Sequence, residues 1–394
     1  MNKLKIIVGG NIGLYPTGGA TWDYVQYPLG LKLLGHDVYY IEDTRQYPVF
    51  QKEERAWDDA SGCVNYLKSV MDNFGFADKW AYRDVASGKT FGMSDTKVKQ
   101  LCSTADVFIN ISCSTFMRDE YLKIPVRMLV DSDPMFTQIQ YAKELGKESE
   151  SKNWNTKHMI ENHNYLFSFG ENINDPSCII PRFDFKWIPT RQPVCLKLWE
   201  NDINGNAFTS VMNWSQRIRI SYNDILWGQK DIEFEKFKNI ARLLPEIKFE
   251  VVVNRPIKEQ SKFDMNELTQ LGWKILEPEE TVPDSSTYKN FIINSHAEFA
   301  IAKETYVKSN SGWFSCRSAC YLAASKPVIT QETGWSKYIP AGEGLFTFTN
   351  MDSAVIAIQK VESDYKNQSR AAKEIANAYF NSDVILKQML DRIN

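Results

Sequence analysis

Between Ser309 and Gly334 the chain reads SNSGWFSCRSACYLAASKPVITQETG: a small polar loop, a short apolar helix, a strand opened by proline, and a polar turn closing on glycine. A loop of small residues at a helix start offers backbone N–H groups and the positive end of the helix dipole, a pairing that suits phosphate. Ser311, Gly312 and Ser315 keep bulk out of the way and add donors, and Arg317 can hold a phosphate bidentately, which a lysine cannot. If the two strands are neighbours, the turn Thr330–Gly334 arrives beside the helix and completes a pyrophosphate cradle. The same residues also fit an ordinary capped loop followed by helix, turn and strand, with Trp313 and Phe314 as core anchors.

Other residues with chemical capacity lie in the first half. Gly9, Gly10, Gly13, Gly18 and Gly19 crowd the loop after the first strand. Their order, GGNIG, is not the G-x-G-x-x-G of a dinucleotide fingerprint, and Glu42 or Asp43 only faintly matches its ribose-binding acid, so a nicotinamide enzyme is disfavoured. Asp23 is read where that loop meets a helix, either facing a cleft or complementing the helix dipole. In VDSDPMF, Asp131 and Asp133 end a buried strand, where acids serve acceptor binding or proton transfer; Asp-Ser-Asp-Pro is equally strong turn chemistry. His163 and Glu171 flank another strand end, His163 as a base or as a structural histidine.

Metal and redox chemistry find little support. The four histidines include no H-x-x-x-H spacing, and the seven cysteines are scattered with no second pair to complete a zinc site. A net charge of −3 gives no basic excess for coating nucleic acid, and no run of 18 apolar residues spans a membrane. MNKLKIIVGG enters a strand at once with too short an apolar run for a secretory leader, so a cytoplasmic location is expected.

These residues need a scaffold, and the patterning supplies one. Strands are expected at Lys5–Val8, VYYIED, Asp106–Ser112, Val126–Asp133 and Tyr165–Gly170, separated by helical stretches; Pro28 predicts a kink or late start in the first helix. Pro181–Trp199, with three prolines and no helical period, reads as a crossing between domains. Strands resume at AFTSVMNW, Phe249–Val253, GWKILEP, AEFAIAKE, KPVITQETG and GLFTFT, and the last segment is helical. The fold class is α/β: two Rossmann-like domains, 1–190 and 191–394, with parallel sheets covered on both faces. Trp57, Trp80, Trp154, Trp187 and Trp199 are candidates for stacking on sugars or bases, or for the core.

GGATWDYVQYPLGLKLLGHDVYYIED, DSDPMFTQ, LFSFGEN, WIPTRQPV and above all AKETYVKSNSGWFSCRSACYLAASKPVITQETGWSKYIPAGEGLFTF together resemble a bacterial or phage glycosyltransferase of the two-Rossmann-domain (GT-B) architecture. The resemblance spans nearly the whole chain. It implies a nucleotide-sugar donor in the C-terminal domain, an acceptor in the N-terminal domain, metal-independent transfer in the cleft between them, no further cofactor, and a C-terminal helix crossing back. Donor contacts then fall to Ser311, Gly312, Trp313, Ser315, Arg317 and Ser318, with Thr333 and Gly334 close by, Lys303 and Lys308 adding charge, and Arg255 approaching the nucleotide. Gly18, Gly19 and Asp23 face donor and acceptor, and Asp23 or Asp133 is the expected base. One departure stands out: Glu304 is followed eight positions on by Gly312, so the paired glutamates common in this architecture are absent and the stereochemical course stays open. The acceptor is a glycan, a small molecule or a modified DNA base. A nucleotide-sugar 2-epimerase, a phage-type DNA-base glycosyltransferase and a non-catalytic nucleotide- or sugar-binding protein are the other readings.

Overall fold

The computed structural model describes residues 2–47, 59–145, 156–203, 205–215, 219–255 and 262–393. Trp57 and Trp154 lie outside them. The chain divides into two compact units: unit 1 holds Met1–Gly170, Pro181–Cys195 and Ser382–Asn394, and unit 2 holds Glu171–Ile180 and Leu196–Asn381. Instead of one cut between 190 and 191, the chain passes from unit to unit at 170/171, 180/181, 195/196 and 381/382.

Unit 1 is built on one sheet. Its strands are β1 (Lys5–Gly9), β2 (Asp37–Glu42), β3 (Trp80–Arg83), β4 (Thr90–Gly92), β5 (Val107–Ile111), β6 (Val126–Asp131), β7 (Tyr165–Ser168) and β8 (Trp187–Pro189). They lie in the order β4-β3-β2-β1-β5-β6-β7-β8, parallel throughout except for the β3–β4 hairpin. Every residue of β5 is buried, as are Ile6, Ile7 and Val8 of β1, the continuous apolar run expected of parallel strands covered on both faces. The first helix, Gly18–Leu33, is continuous with Pro28 inside it, so it does not start late. Thr17 caps it, its hydroxyl accepting from Ala20 N at 3.3 Å. The last helix, Ser382–Leu390, belongs to this unit and is anchored where Ser382 N donates to the Val194 carbonyl at 2.9 Å. Pro181–Cys195, read from sequence as a crossing, contributes the edge strand β8. Trp80 and Trp187 are buried here, and Trp199 is buried in unit 2. All three are core residues.

Unit 2 carries six parallel strands: β9 (Ala207–Asn213), β12 (Lys248–Asn254), β13 (Trp273–Leu276), β14 (Ala297–Ala300), β15 (Val328–Gln331) and β16 (Leu345–Phe348), ordered β13-β12-β9-β14-β15-β16. A small antiparallel hairpin, β10 (Ile220–Tyr222) and β11 (Ile225–Trp227), stands in the connection after β9. One face of the sheet packs on an aromatic core of Phe208, Trp214, Phe234, Phe249, Trp273, Phe299 and Phe348, with Phe249 and Trp273 centroids 5.3 Å apart. In chain order the strands read third, second, first, fourth, fifth, sixth. The connections therefore reverse direction between β9 and β14, and in such sheets that switch point, at the carboxyl ends, is where ligands bind.

Candidate functional site

At the switch point of unit 2 three helices begin: Lys230–Phe237 follows β9, and Glu304–Ser309 and Cys316–Ala323 follow β14. Their starts are stitched together. The Gln229 carbonyl accepts from Glu304 N at 3.3 Å, and the Gly228 carbonyl accepts from Thr305 N at 3.3 Å and from the Thr305 hydroxyl at 2.8 Å.

The loop quoted from sequence is held from several sides. Gly312 N donates to the Thr333 carbonyl at 2.7 Å and the Thr333 hydroxyl to the Trp313 carbonyl at 2.6 Å, lacing the two turns side by side. Asn172 supports them from beneath: its N–H donates to the Ser311 carbonyl at 3.0 Å and its Nδ2 to the carbonyls of Asn310 at 3.0 Å and Gly334 at 3.3 Å. Gly334, at φ +97°, has no room for a side chain, because a Cβ would lie 1.9 Å from Asn172 Nδ2. The Ser311 hydroxyl donates to the Tyr306 carbonyl at 3.3 Å, and Trp313 stacks on Tyr306 with centroids 4.3 Å apart. Lys303 Nζ stands 5.1 Å from the Tyr306 ring centroid. Ser315 is the N-cap residue of Cys316–Ala323, but its side chain closes no cap bond.

Arg317 does not extend as an open finger. Its Nε pairs with the fully buried Glu298 on β14 and its Nη1 with the Val211 carbonyl on β9, so the guanidinium bridges the two strands of the switch point from within. Nη2 and the buried Ser318 hydroxyl have no partner among the described residues. Arg317 supplies charge under the cradle, fixed by its carboxylate.

The residue that sequence reasoning missed is Lys230. It is the first residue of its helix, only 8% exposed, and among the described residues no hydrogen bond or ion pair involves its ammonium. Burial pushes it well below the ordinary lysine range, the nearby charges of Arg317 and Lys303 push it further, and Glu298 opposes them. Beside it, the buried amide Nε2 of Gln229 is unpartnered. A buried cation without a counter-charge is strongly unfavourable unless a ligand supplies one. A signal was available in GQKDIEF: a lysine at the first helical position opposes the helix dipole, an unusual placement unless an anion sits there.

The remaining expected donor residues stay apart from this cluster. Lys308 pairs with Glu304 at 2.8 Å, four residues back on its own helix. Arg255, after β12, is exposed and pairs with Glu277.

In unit 1 the expected residues divide differently. Gly18 and Gly19 are the first two helical residues, not loop, and Asp23 lies a full turn into the helix, half-buried, its carbonyl accepting from Gln192 Nε2 at 3.1 Å. Asp131 is buried and accepts from Thr137 Oγ1 at 2.7 Å, Gln138 Nε2 at 2.9 Å and Ser168 Oγ at 2.9 Å; burial raises its carboxyl against those bonds. It is a turn-forming acid. Asp133 stands in the same turn, its N–H donating to Asp131 at 3.2 Å. His163 is at the amino end of β7, opposite the carboxyl-end loops, with Nδ1 against the Met159 carbonyl and its ring 6.3 Å from Phe108; burial holds it down to about 4. It is a structural histidine, and the strand-end pairing with Glu171 fails because the two flank opposite ends of β7. Glu171 itself begins the 171–180 segment that packs with unit 2. Glu42 and Asp43 are committed to the fold: Glu42 accepts from Gly13 N at 2.8 Å and Leu14 N at 2.5 Å, tying down the glycine loop, and Asp43 takes Arg83 at 3.0 Å and Arg118 at 2.6 Å.

Among the described residues, no three His, Cys, Asp or Glu side chains gather as metal ligands, and no helix is long and apolar enough to cross a membrane.

Set against solved structures, the chain aligns almost end to end. A glycosyltransferase from Rickettsia africae ESF-5 matches with a TM-score of 0.53 at 12% identity over 99% of this chain and 98% of that one. The fold is the GT-B glycosyltransferase fold. HepE of Anabaena in complex with UDP and glucose gives a TM-score of 0.56 at 12% identity over 99% of both chains, and its complex with UDP-glucose 0.55 at 11% identity with the same coverage. No family model and no curated protein matches the sequence.

Proposed function

We propose that this chain is a glycosyltransferase that takes a sugar from a nucleotide-sugar donor bound at the switch point of unit 2 and passes it to an acceptor hydroxyl held by unit 1. The observation that carries the reading is Lys230, a buried lysine with no ion pair among the described residues, set with Arg317 and Lys303 where the starts of Lys230–Phe237 and Glu304–Ser309 are joined. A diphosphate fits that place: two linked anionic groups answer several cations and the positive end of a helix at once. HepE of Anabaena, which shares the fold, holds UDP-glucose, which supports a donor of that class.

In the reaction the bond from the sugar carbon to the diphosphate breaks, and negative charge grows on the leaving phosphate oxygen. Lys230 and the first-turn N–H groups of Cys316–Ala323 are placed to take up that charge, with Arg317 adding its field from beneath, and fixed dipoles stabilise it without rearranging. These cations can do the charge compensation without a metal ion. Glu298 and Val211 keep Arg317 in place. Asp23 or Asp133 serves as base toward the acceptor if the course is inverting; Asp131 is committed to its turn. The acceptor is a glycan or small molecule in this reading, since the chain's net charge of −3 gives a DNA acceptor no support.

The test is a thermal-shift screen against UDP, GDP, dTDP, CDP and ADP and their sugar conjugates, on the wild type and on Lys230→Ala. A ligand that binds the folded state raises the melting temperature. A selective shift that Lys230→Ala abolishes supports the reading, and subsequent sugar release separates a transferase from a silent binder. No shift with any nucleotide in a folded sample overturns it.

A further inference from the structure

Lys230 raises a question that donor binding alone does not answer: what compensates its charge when the site is empty. Among the described residues each neighbouring carboxylate is engaged by another group, though Glu298 keeps one oxygen, Oε2, without a partner. Asp231 and Glu233 follow it on its own helix, Asp231 within 3.5 Å of Arg219 and Glu233 bonded to Lys236 at 2.7 Å and to Gln331 Nε2 at 2.7 Å. From the adjoining helix, Glu304 is paired with Lys308. From β14, Glu298 is paired with Arg317. The other charges facing Lys230, Arg317 and Lys303, carry its own sign. Two permanent or near-permanent cations share one acid there, Glu298, which is already bonded to Arg317, so a third positive charge in the same place is poorly held. We propose that Lys230 stands as a neutral amine in the empty site and takes up one proton from solvent when a diphosphate binds, so that donor binding and proton uptake occur together at this residue.

The inference rests on the donor reading above and adds to it a direction of pH dependence. Burial and like charge both favour the neutral amine, and a bound diphosphate reverses the balance by placing negative charge against the nitrogen. Where the free amine is neutral and the bound one charged, affinity weakens by about tenfold for each unit of rising pH. The same coupling works on catalysis: the proton gained on binding stays beside the leaving diphosphate, so the residue is fully charged only when there is charge to stabilise.

The experiment is isothermal titration of the wild-type protein with UDP-glucose, whose diphosphate carries no group that titrates near neutral pH, in two buffers of widely different ionisation enthalpy and across a pH series. The expected result is uptake of about one proton per donor bound, and an affinity that falls about tenfold per pH unit on the alkaline side. Lys230→Arg, which cannot lose its proton, should abolish the uptake and flatten the pH series. Binding whose heat is the same in both buffers, with a flat pH series in the wild type, overturns the inference and leaves the donor reading standing. No binding of UDP-glucose or of any other nucleotide-sugar of the screen at any pH overturns both.

Discussion

At the carboxyl ends of the strands in unit 1, Glu42, Asp43 and Asp131 are each fully engaged by donors from their own fold. At the corresponding place in unit 2, Lys230 has no hydrogen bond or ion pair among the described residues, and the cation next to it, Arg317, is bonded from below. The two sheets share a strand order at their centres, third-second-first-fourth-fifth-sixth, yet one switch point closes its charges internally and the other leaves a positive one open. Topology marks the place where the proposed donor would sit, and the open lysine is what makes a diphosphate the proposed ligand. A buried group satisfied by the protein is structure; one left unsatisfied is waiting for something.

The sharpest way to break this contrast is to remove the unpaired cation. Lys230→Ala should weaken nucleoside diphosphate binding by about 100-fold or more, about 3 kcal/mol, read by titration calorimetry. The apolar Lys230→Met should at the same time raise the melting temperature of the empty protein by about 2–4 °C, because a buried polar amine with no partner among the described residues is gone. Filling the cradle's tightest point comes next: Gly334→Ala, at φ +97° and against Asn172, should cost about 2–3 kcal/mol in urea unfolding and carry donor affinity down with it. On the unit 1 side, burial raises Glu42 from 4.5 to about 7 in the folded state. A carboxyl raised on folding contributes stability that is present below pH 4.5 and lost as pH rises through about 7. The wild type should therefore lose about 2 kcal/mol between about pH 5.5 and about pH 7.5 from this group, and Glu42→Gln should remove that slope. His163, lowered from 6.5 to about 4 by burial, works with the opposite sign: its contribution is lost as pH falls below 6.5. His163→Gln should reduce acid sensitivity by about 1 kcal/mol near about pH 5.5 and leave donor binding unchanged, which denaturation and calorimetry together would show. The smallest effect belongs to Arg255→Ala: an exposed pair with Glu277 should change stability by less than about 0.5 kcal/mol.

Much of the scaffold was legible because parallel strands announce themselves as short apolar runs. Each strand expected from sequence is found within a few residues of its place. The strands that were missed are short: Trp80–Arg83, Thr90–Gly92 and Trp187–Pro189 lie toward the edge of the unit 1 sheet, and Ile220–Tyr222 and Ile225–Trp227 form the separate hairpin, and a run of three or four residues has no distinctive period. The loop before Cys316–Ala323 was legible as a loop and helix start, since small polar residues gather ahead of helices. What was not legible is the direction of side chains. Nothing in GWFSCRS says that Arg317 turns down to Glu298, because Glu298 is nineteen positions away and meets it only through the sheet. His163 and Glu171 appear to bracket one strand end in sequence and bracket both ends in space. Lys230 was passed over because its helix start carries no glycine or serine cluster; only the mismatch between a lysine and the positive end of a helix marks it.

The most direct measurement is a calorimetric titration of wild type and Lys230→Met with inorganic pyrophosphate, which carries the anionic part of the donor and no base or sugar. The account predicts that wild type binds it and that Lys230→Met, folded and no less stable, binds it about 100-fold more weakly. Equal affinity in the two proteins, or no binding by a folded wild type, would contradict the claim that the open charge in unit 2 is there for a diphosphate.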